Sequence, residues 1–270
     1  MSVSEFLELF VKELEQTPSL REYHRLINAP KSFLFRKAYI EQRFNYVENA
    51  TRNISGNIWD LGCGYATTGI FLALNGKKVN GTTLEFYYDK IKDRFDYWSQ
   101  FGNLDNLKIT YENLFDKKVV SGAYEAVLVQ DTLHHLEPID EALQIIAESL
   151  QVGGKVIVSE ENGNNIVQNL KLFKIRGNKR IIEIYDKKLN KNILLGNENI
   201  RSFKNWQQLF LKQNLVIDNS TEYIRFYPPR FFQKENYSAL IQKEQNIAMR
   251  NKLLKERMFF GLNFTAVKDR

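Results

Sequence analysis

The sequence predicts a doubly wound α/β fold: a Rossmann-like, seven-stranded, mostly parallel sheet, with N-terminal helices and an insertion after the fifth strand. Three observations predict it. From Ile58 onward, short apolar runs alternate with helical stretches, the pattern of βαβ units. A Gly-x-Gly turn, Gly62-Cys63-Gly64, separates the first run from the first of these helices. The alternation then pauses across 160–201, too long for an ordinary connection in a compact domain, so this stretch is expected to form a lid or inserted subdomain.

The elements follow in order. Val3, Phe6, Leu7, Phe10, Val11 and Leu14 recur at helical spacing, with Ser2 and Glu5 placed as a capping box. A second helical pattern over 33–47 carries Phe35, Tyr39, Ile40, Phe44 and Val47 beside Arg36, Lys37 and Arg43, and ends before the turn signal at 53–56. These helices make an expected N-terminal cap, 1–52, ahead of a domain spanning 53–270. Strands are expected at 58–61, 78–84, 107–111, 126–130 and 155–159. The helices between them fall at 67–74, closed by Gly76, at 87–101, closed by Gly102, and at 139–150, opened by Pro138 and closed by Gly153-Gly154. After the pause, Phe203, Trp206, Phe210 and Leu211 mark a further helix. Strands at 215–217 and 258–267 complete the sheet, joined by a link holding Pro228-Pro229 and a polar helix over 233–257.

Composition narrows the function classes. With 270 residues, 43% hydrophobic and 26% charged, the chain matches an ordinary globular protein and excludes disordered and fibrous classes. The single cysteine, Cys63, excludes a disulfide scaffold, a cysteine-rich zinc module and a three-cysteine iron-sulfur site, and points to a reducing compartment. The first residues are acidic where a secretory signal is basic, and no apolar run approaches the roughly 20 residues that span a bilayer. A cytoplasmic protein without a membrane span is therefore expected. The formal charge of +6 permits an anionic partner without requiring one.

The functional signal is strongest in Asp60-Leu61-Gly62-Cys63-Gly64-Tyr65-Ala66, which runs from the first strand into its helix. Glycines let the chain turn tightly and let a ligand approach the backbone, and the helix start offers free N–H groups. A dinucleotide site would continue as G-x-G-x-x-G, but the sixth position is Thr67 and Gly69 comes two residues late. Asp60 would suit a cationic ligand better than a pyrophosphate. At this point the sequence resembles the class I S-adenosyl-L-methionine-dependent methyltransferases, whose first motif reads much like Asp60-Leu61-Gly62-Cys63-Gly64. Ala66 stands where that family often has a third glycine.

The resemblance implies a cofactor, S-adenosyl-L-methionine, and assigns roles along the chain. Glu85, after the second strand, would accept hydrogen bonds from both ribose hydroxyls, and Asn113-Leu114 would bond the adenine amino group and cover its ring. Gln130 would touch the methionine portion. Cys63 would serve packing and backbone contact, and no second cysteine exists for covalent attack on a pyrimidine ring. The likeness covers 58–162 well and 202–267 in outline.

It also implies in-line transfer of a methyl group to an O, N or C atom of a small molecule, for which the protein supplies alignment and, for some acceptors, a general base. His134 and His135 are the candidates for that base, with Asp131 and Tyr227 on the substrate side. The segment Gln130-Asp131-Thr132-Leu133 lacks the Asn/Asp-Pro-Pro-aromatic motif of nucleic-acid N-methyltransferases, and Tyr227-Pro228-Pro229 lies too late in the chain to replace it. Between 171 and 201 stand nine Lys and Arg residues against Glu183, Asp186 and Glu198, an excess as large as the whole chain's. This basic insertion reads as a lid over an anionic or carrier-bound small substrate, or alternatively as an RNA-binding surface of an RNA/tRNA methyltransferase. A non-catalytic methyltransferase-like binding protein is the third reading.

Overall fold

The structure, a computed structural model, describes residues 1–84, 86–218, 221–233 and 236–269. Helix α1 (Val3–Gln16) begins with the expected capping box: Ser2 Oγ accepts from the Glu5 N–H and the Glu5 carboxylate from the Ser2 N–H. Two more helices follow, α2 (Pro18–His24) and α3 (Phe33–Thr51). The alternation then runs β1 (Asn57–Leu61), α4 (Thr67–Leu74), β2 (Lys78–Thr83), α5 (Ile91–Trp98), β3 (Leu107–Tyr111), β4 (Tyr124–Gln130), α6 (Ile139–Ser149) and β5 (Leu150–Glu161). The paused segment forms helix α7 (Ile166–Arg176) and a hairpin of β6 (Ile181–Asp186) and β7 (Lys191–Gly196). The remainder is α8 (Phe203–Leu211), β8 (Leu215–Ile217), β9 (Glu222–Ile224), α9 (Tyr237–Arg250), α10 (Lys252–Met258) and β10 (Gly261–Lys268).

The main sheet has the order β3-β2-β1-β4-β5-β10-β8, with β9 also paired to β10. The first five strands are parallel, and β10 is antiparallel to β5, β8 and β9. Among the described residues, eight strands thus stand where seven were expected. The extra one arises because β10 is long enough to pair with β9 through 261–263 and with β8 through 266–268. A three-residue strand leaves no readable alternation in sequence.

Other boundaries shift for local reasons. The polar helix expected at 233–257 is broken at Asn251, whose side chain caps α10 by accepting from the Leu254 N–H at 3.0 Å. The strand expected from 258 starts at Gly261 because Met258 still belongs to that helix. Helix α5 starts at Ile91 after a short 3₁₀ turn, later than the expected 87. No helix among the described residues is long and apolar enough to cross a membrane.

Alternation along β1 divides the core. Ile58 faces one side with Val79, Leu128 and Ile157, where α4 and the buried faces of α1 and α3 cover the sheet. Trp59 and Leu61 face the other with Val127, Val129 and Val158, under α6 and α8. Strand order reverses where β1 pairs with both β2 and β4, and in such sheets ligands bind beyond the carboxyl ends of the strands at this point.

Candidate active site

The turn after β1 lies at that switch point. Gly62 and Gly64 both have positive φ, +73° and +53°. The Gly62 and Cys63 N–H groups donate to the Thr82 carbonyl at 2.9 and 3.0 Å, which pins the turn to β2. A Cβ on Gly62 would stand 2.3 Å from the Thr132 side chain, so only glycine fits there. Ala66 also takes a left-handed conformation, φ +60°, immediately before α4. Burial pushes the Cys63 thiol well above its ordinary range, with a further push from Asp60, so this sulfur stays protonated.

Asp60 is 3% exposed, and its Oδ2 has no hydrogen-bond partner. Burial pushes its carboxyl up to about 7, against a smaller lowering by the Gly69 N–H. A buried carboxylate oxygen left without a donor is rare in a folded protein and marks a place where a cation or donor completes the structure. Asp60 shares a cavity of about 810 Å³ with Gly62, Cys63, Gly64, Asn113, Leu114 and Gln130. Asn113 caps the short turn at 114–116, accepting from the Phe115 N–H, and Gln130 Oε1 accepts from the Thr68 hydroxyl at 2.6 Å. Glu85 lies outside the described residues.

Asp131, His134 and His135 also line this cavity. Asp131, at φ +47°, pairs with Arg43 of α3 at 2.6 Å. Desolvation pushes its carboxyl up, but the Arg43 and Arg225 guanidiniums outweigh this and hold it below the usual range. Tyr227 does not line the cavity. Its ring packs on Phe226 and Phe231, and its N–H donates to Glu244 at 2.8 Å.

The two histidines differ. His134 is buried, with Nδ1 2.5 Å from Glu160 Oε2. Burial lowers its pKa, but Glu160, Asp131 and Glu198 together outweigh burial and push it up to about 9. In the free protein at neutral pH it is therefore an imidazolium, which does not serve as a base. His135 Nδ1 lies 2.9 Å from the Gly196 carbonyl, an acceptor only, so that nitrogen carries a proton and Nε2 is the ring nitrogen not engaged by the backbone.

Sequence reasoning missed several residues that line the cavity or hold its loops in place. Glu160 accepts from the Thr132 and Leu133 N–H groups as well as from His134, and so shapes the loop after β4 from a neighbouring strand. Tyr23, His24 and Arg43 arrive from the N-terminal helices, and Ile184, Asp186, Ile193 and Glu198 from the insertion. None has a local motif. The insertion is tied to the end of β3 and to the segments that follow β2 and β3: Tyr111 donates to Asp186 at 2.6 Å, Lys188 pairs with Asp89 at 2.7 Å, and Lys191 pairs with Asp116.

With this geometry the chain is similar to solved methyltransferases. The geranyl diphosphate C-methyltransferase of Streptomyces coelicolor A3(2), crystallised with Mg2+, geranyl diphosphate and S-adenosyl-L-homocysteine, superposes with a TM-score of 0.58 at 14% identity. That match covers 88% of this chain and 83% of the other. The phosphoethanolamine N-methyltransferase 2 of Haemonchus contortus, solved with S-adenosyl-L-methionine, gives 0.55 at 13% identity, covering 89% of this chain and 57% of that one. The chain shares the class I methyltransferase fold. At these identities the likeness is one of fold alone. No family model matches the sequence, and no curated protein matches it.

Proposed function

We propose that the protein is an S-adenosyl-L-methionine-dependent methyltransferase acting on a small molecule. The observation that carries this is the orphaned buried carboxylate of Asp60 beside two glycines held at positive φ, on one wall of a large cavity. That wall fits the group. Asp60 offers an unpaired anion to an ammonium, the Gly62-Cys63-Gly64 backbone allows close approach, and Asn113, Leu114 and Gln130 complete the lining. The bound cofactor supplies an electrophilic methyl on a sulfonium.

What the chain itself contributes is position. The hairpin β6–β7 and the N-terminal helices contribute lining residues to the cavity beside the glycine turn, which would position an acceptor for in-line attack. Three of the insertion's cations already have partners on the rest of the chain: Lys188 with Asp89, Lys191 with Asp116 and Arg201 with Glu137. This supports the lid over the RNA-binding surface, because a phosphate would have to displace those carboxylates.

Isothermal calorimetry with S-adenosyl-L-homocysteine tests the proposal. Wild type binds one equivalent. Gly62→Ala, whose Cβ would press on Thr132 at φ +73°, carries about 1–3 kcal/mol of strain and binds about tenfold more weakly or worse. Absence of wild-type binding overturns the reading.

A further inference from the structure

Along the cavity lining, the His134-His135 pair meets the end of the inserted hairpin. Residues 195–199 dock on 134–136 at three points. Leu195 bridges Leu136, the Gly196 carbonyl accepts from His135 Nδ1, and the Asn199 N–H donates to the His134 carbonyl at 3.2 Å. Between these anchors stands Glu198, with Oε2 3.8 Å from His134 Nε2. One ligand atom from each of His134, His135 and Glu198 lies within 4.8 Å of the other two.

Both imidazoles are held on the same nitrogen. His134 Nδ1 is bound by the Glu160 carboxylate and His135 Nδ1 by a backbone carbonyl, so Nε2 is the nitrogen left for a ligand on each ring. This is the outer-shell arrangement that orients metal-binding histidines, in which the nitrogen away from the metal donates to a carboxylate or a carbonyl. Glu160 is in turn fixed by two backbone N–H groups, at 2.9 and 2.7 Å.

We propose that His134, His135 and Glu198 form a three-ligand site for a divalent cation of the zinc class, open toward the cavity. Two imidazoles and one carboxylate suit such first-row cations, and three protein ligands leave a position for an exogenous oxygen. Metal bonds of about 2.0–2.2 Å require ligand atoms about 3–3.5 Å apart. The Glu198 side chain, 42% exposed, can swing to close the remaining gap.

The site's role rests on the methyl-transfer reading. An acceptor hydroxyl or enol held by the cation would ionise more readily, releasing its proton to solvent, so methyl transfer to it would need no histidine base. The substrate class narrows to small molecules carrying such an oxygen at or beside the methylated atom.

The test titrates the full-length chain, stripped with a chelator, with Co2+ alone and follows its visible d–d absorption. The expected result is one Co2+ per chain, displaced by Zn2+. Glu198→Gln loses stoichiometric binding while its thermal unfolding in the absence of metal is unchanged, and Glu160→Gln weakens binding by about 10- to 100-fold. Failure of wild type to bind Co2+, or undiminished binding by Glu198→Gln, overturns the site. The same wild-type preparation is tested with S-adenosyl-L-homocysteine. Co2+ binding without S-adenosyl-L-homocysteine binding keeps the metal site and removes the methyltransferase reading, and the converse removes only the metal site.

Discussion

Asp60→Asn will make the free protein more stable at pH 8 and weaken its cofactor binding. Burial raises the Asp60 carboxyl from 3.8 to about 7, so the folded chain holds this proton more tightly than the unfolded chain does. For a carboxyl shifted in this direction, folding is undisturbed below about pH 4 and loses stability as pH rises toward 7. Above 7 the full cost of an ionised, buried carboxylate with one unpartnered oxygen is present. At about 1.4 kcal/mol per pH unit that cost approaches 4 kcal/mol. Asparagine keeps an oxygen for the Gly69 N–H and carries no charge, so urea unfolding at pH 8 should show a gain of up to about 4 kcal/mol that shrinks toward pH 4.

The same substitution removes the anion that would meet the ligand's ammonium. A hydrogen bond to a charged group contributes about 1.5–3 kcal/mol, so S-adenosyl-L-homocysteine affinity should fall roughly 10- to 150-fold. Wild-type affinity should itself decline as pH drops below 7, and the variant's should not. Unchanged or reduced stability of Asp60→Asn at pH 8 would show that the carboxylate is satisfied in the free protein.

Glu13→Ala carries the second large effect, a destabilisation of about 3–5 kcal/mol in urea unfolding. Glu13 and Arg94 are 2% and 3% exposed and form a bidentate pair at 2.7 Å through both oxygens. Trp98 Nε1 donates to the same carboxylate at 2.9 Å. Removing Glu13 leaves a guanidinium and an indole N–H buried without their acceptor, and the cost comes chiefly from that stranded charge. Arg94 also donates to the Tyr65 carbonyl at 2.5 Å and the Thr67 hydroxyl at 2.8 Å, both flanking the glycine turn. Cofactor affinity should therefore fall alongside stability. The double variant Glu13→Met, Arg94→Met, which strands no charge, should recover most of the lost stability. A loss below about 1 kcal/mol in Glu13→Ala would contradict this account.

Glu13 shows why part of the site was illegible in sequence. In the helical pattern of 3–14 it reads as one more charged residue on an amphipathic helix, and nothing nearby indicates that its partner is Arg94, 81 residues away. Glu160 has the same character: the last residues of a buried strand announce no role, yet its carboxylate holds three groups of the loop after β4. The histidine pair illustrates the converse. Its place at the cavity was legible from the β4 loop, but the chemical difference between the two rings depends on Glu160 and on Gly196 from the insertion. Tyr227, expected on the substrate side, packs instead against Phe226 and Phe231, neighbours close to it in sequence.

The sequence by itself determined the sheet's alternating construction, the position of the glycine turn and the acidic residue before it. These are local features: strand period, helix stops and positive-φ glycines act within a few residues of chain. Packing between distant segments leaves Asp60 Oδ2 without a donor, partly neutralises the basic insertion through Asp89 and Asp116, and brings His134, His135 and Glu198 together. Burial and charge pairing depend on what packs from distant segments, and no local pattern encodes that.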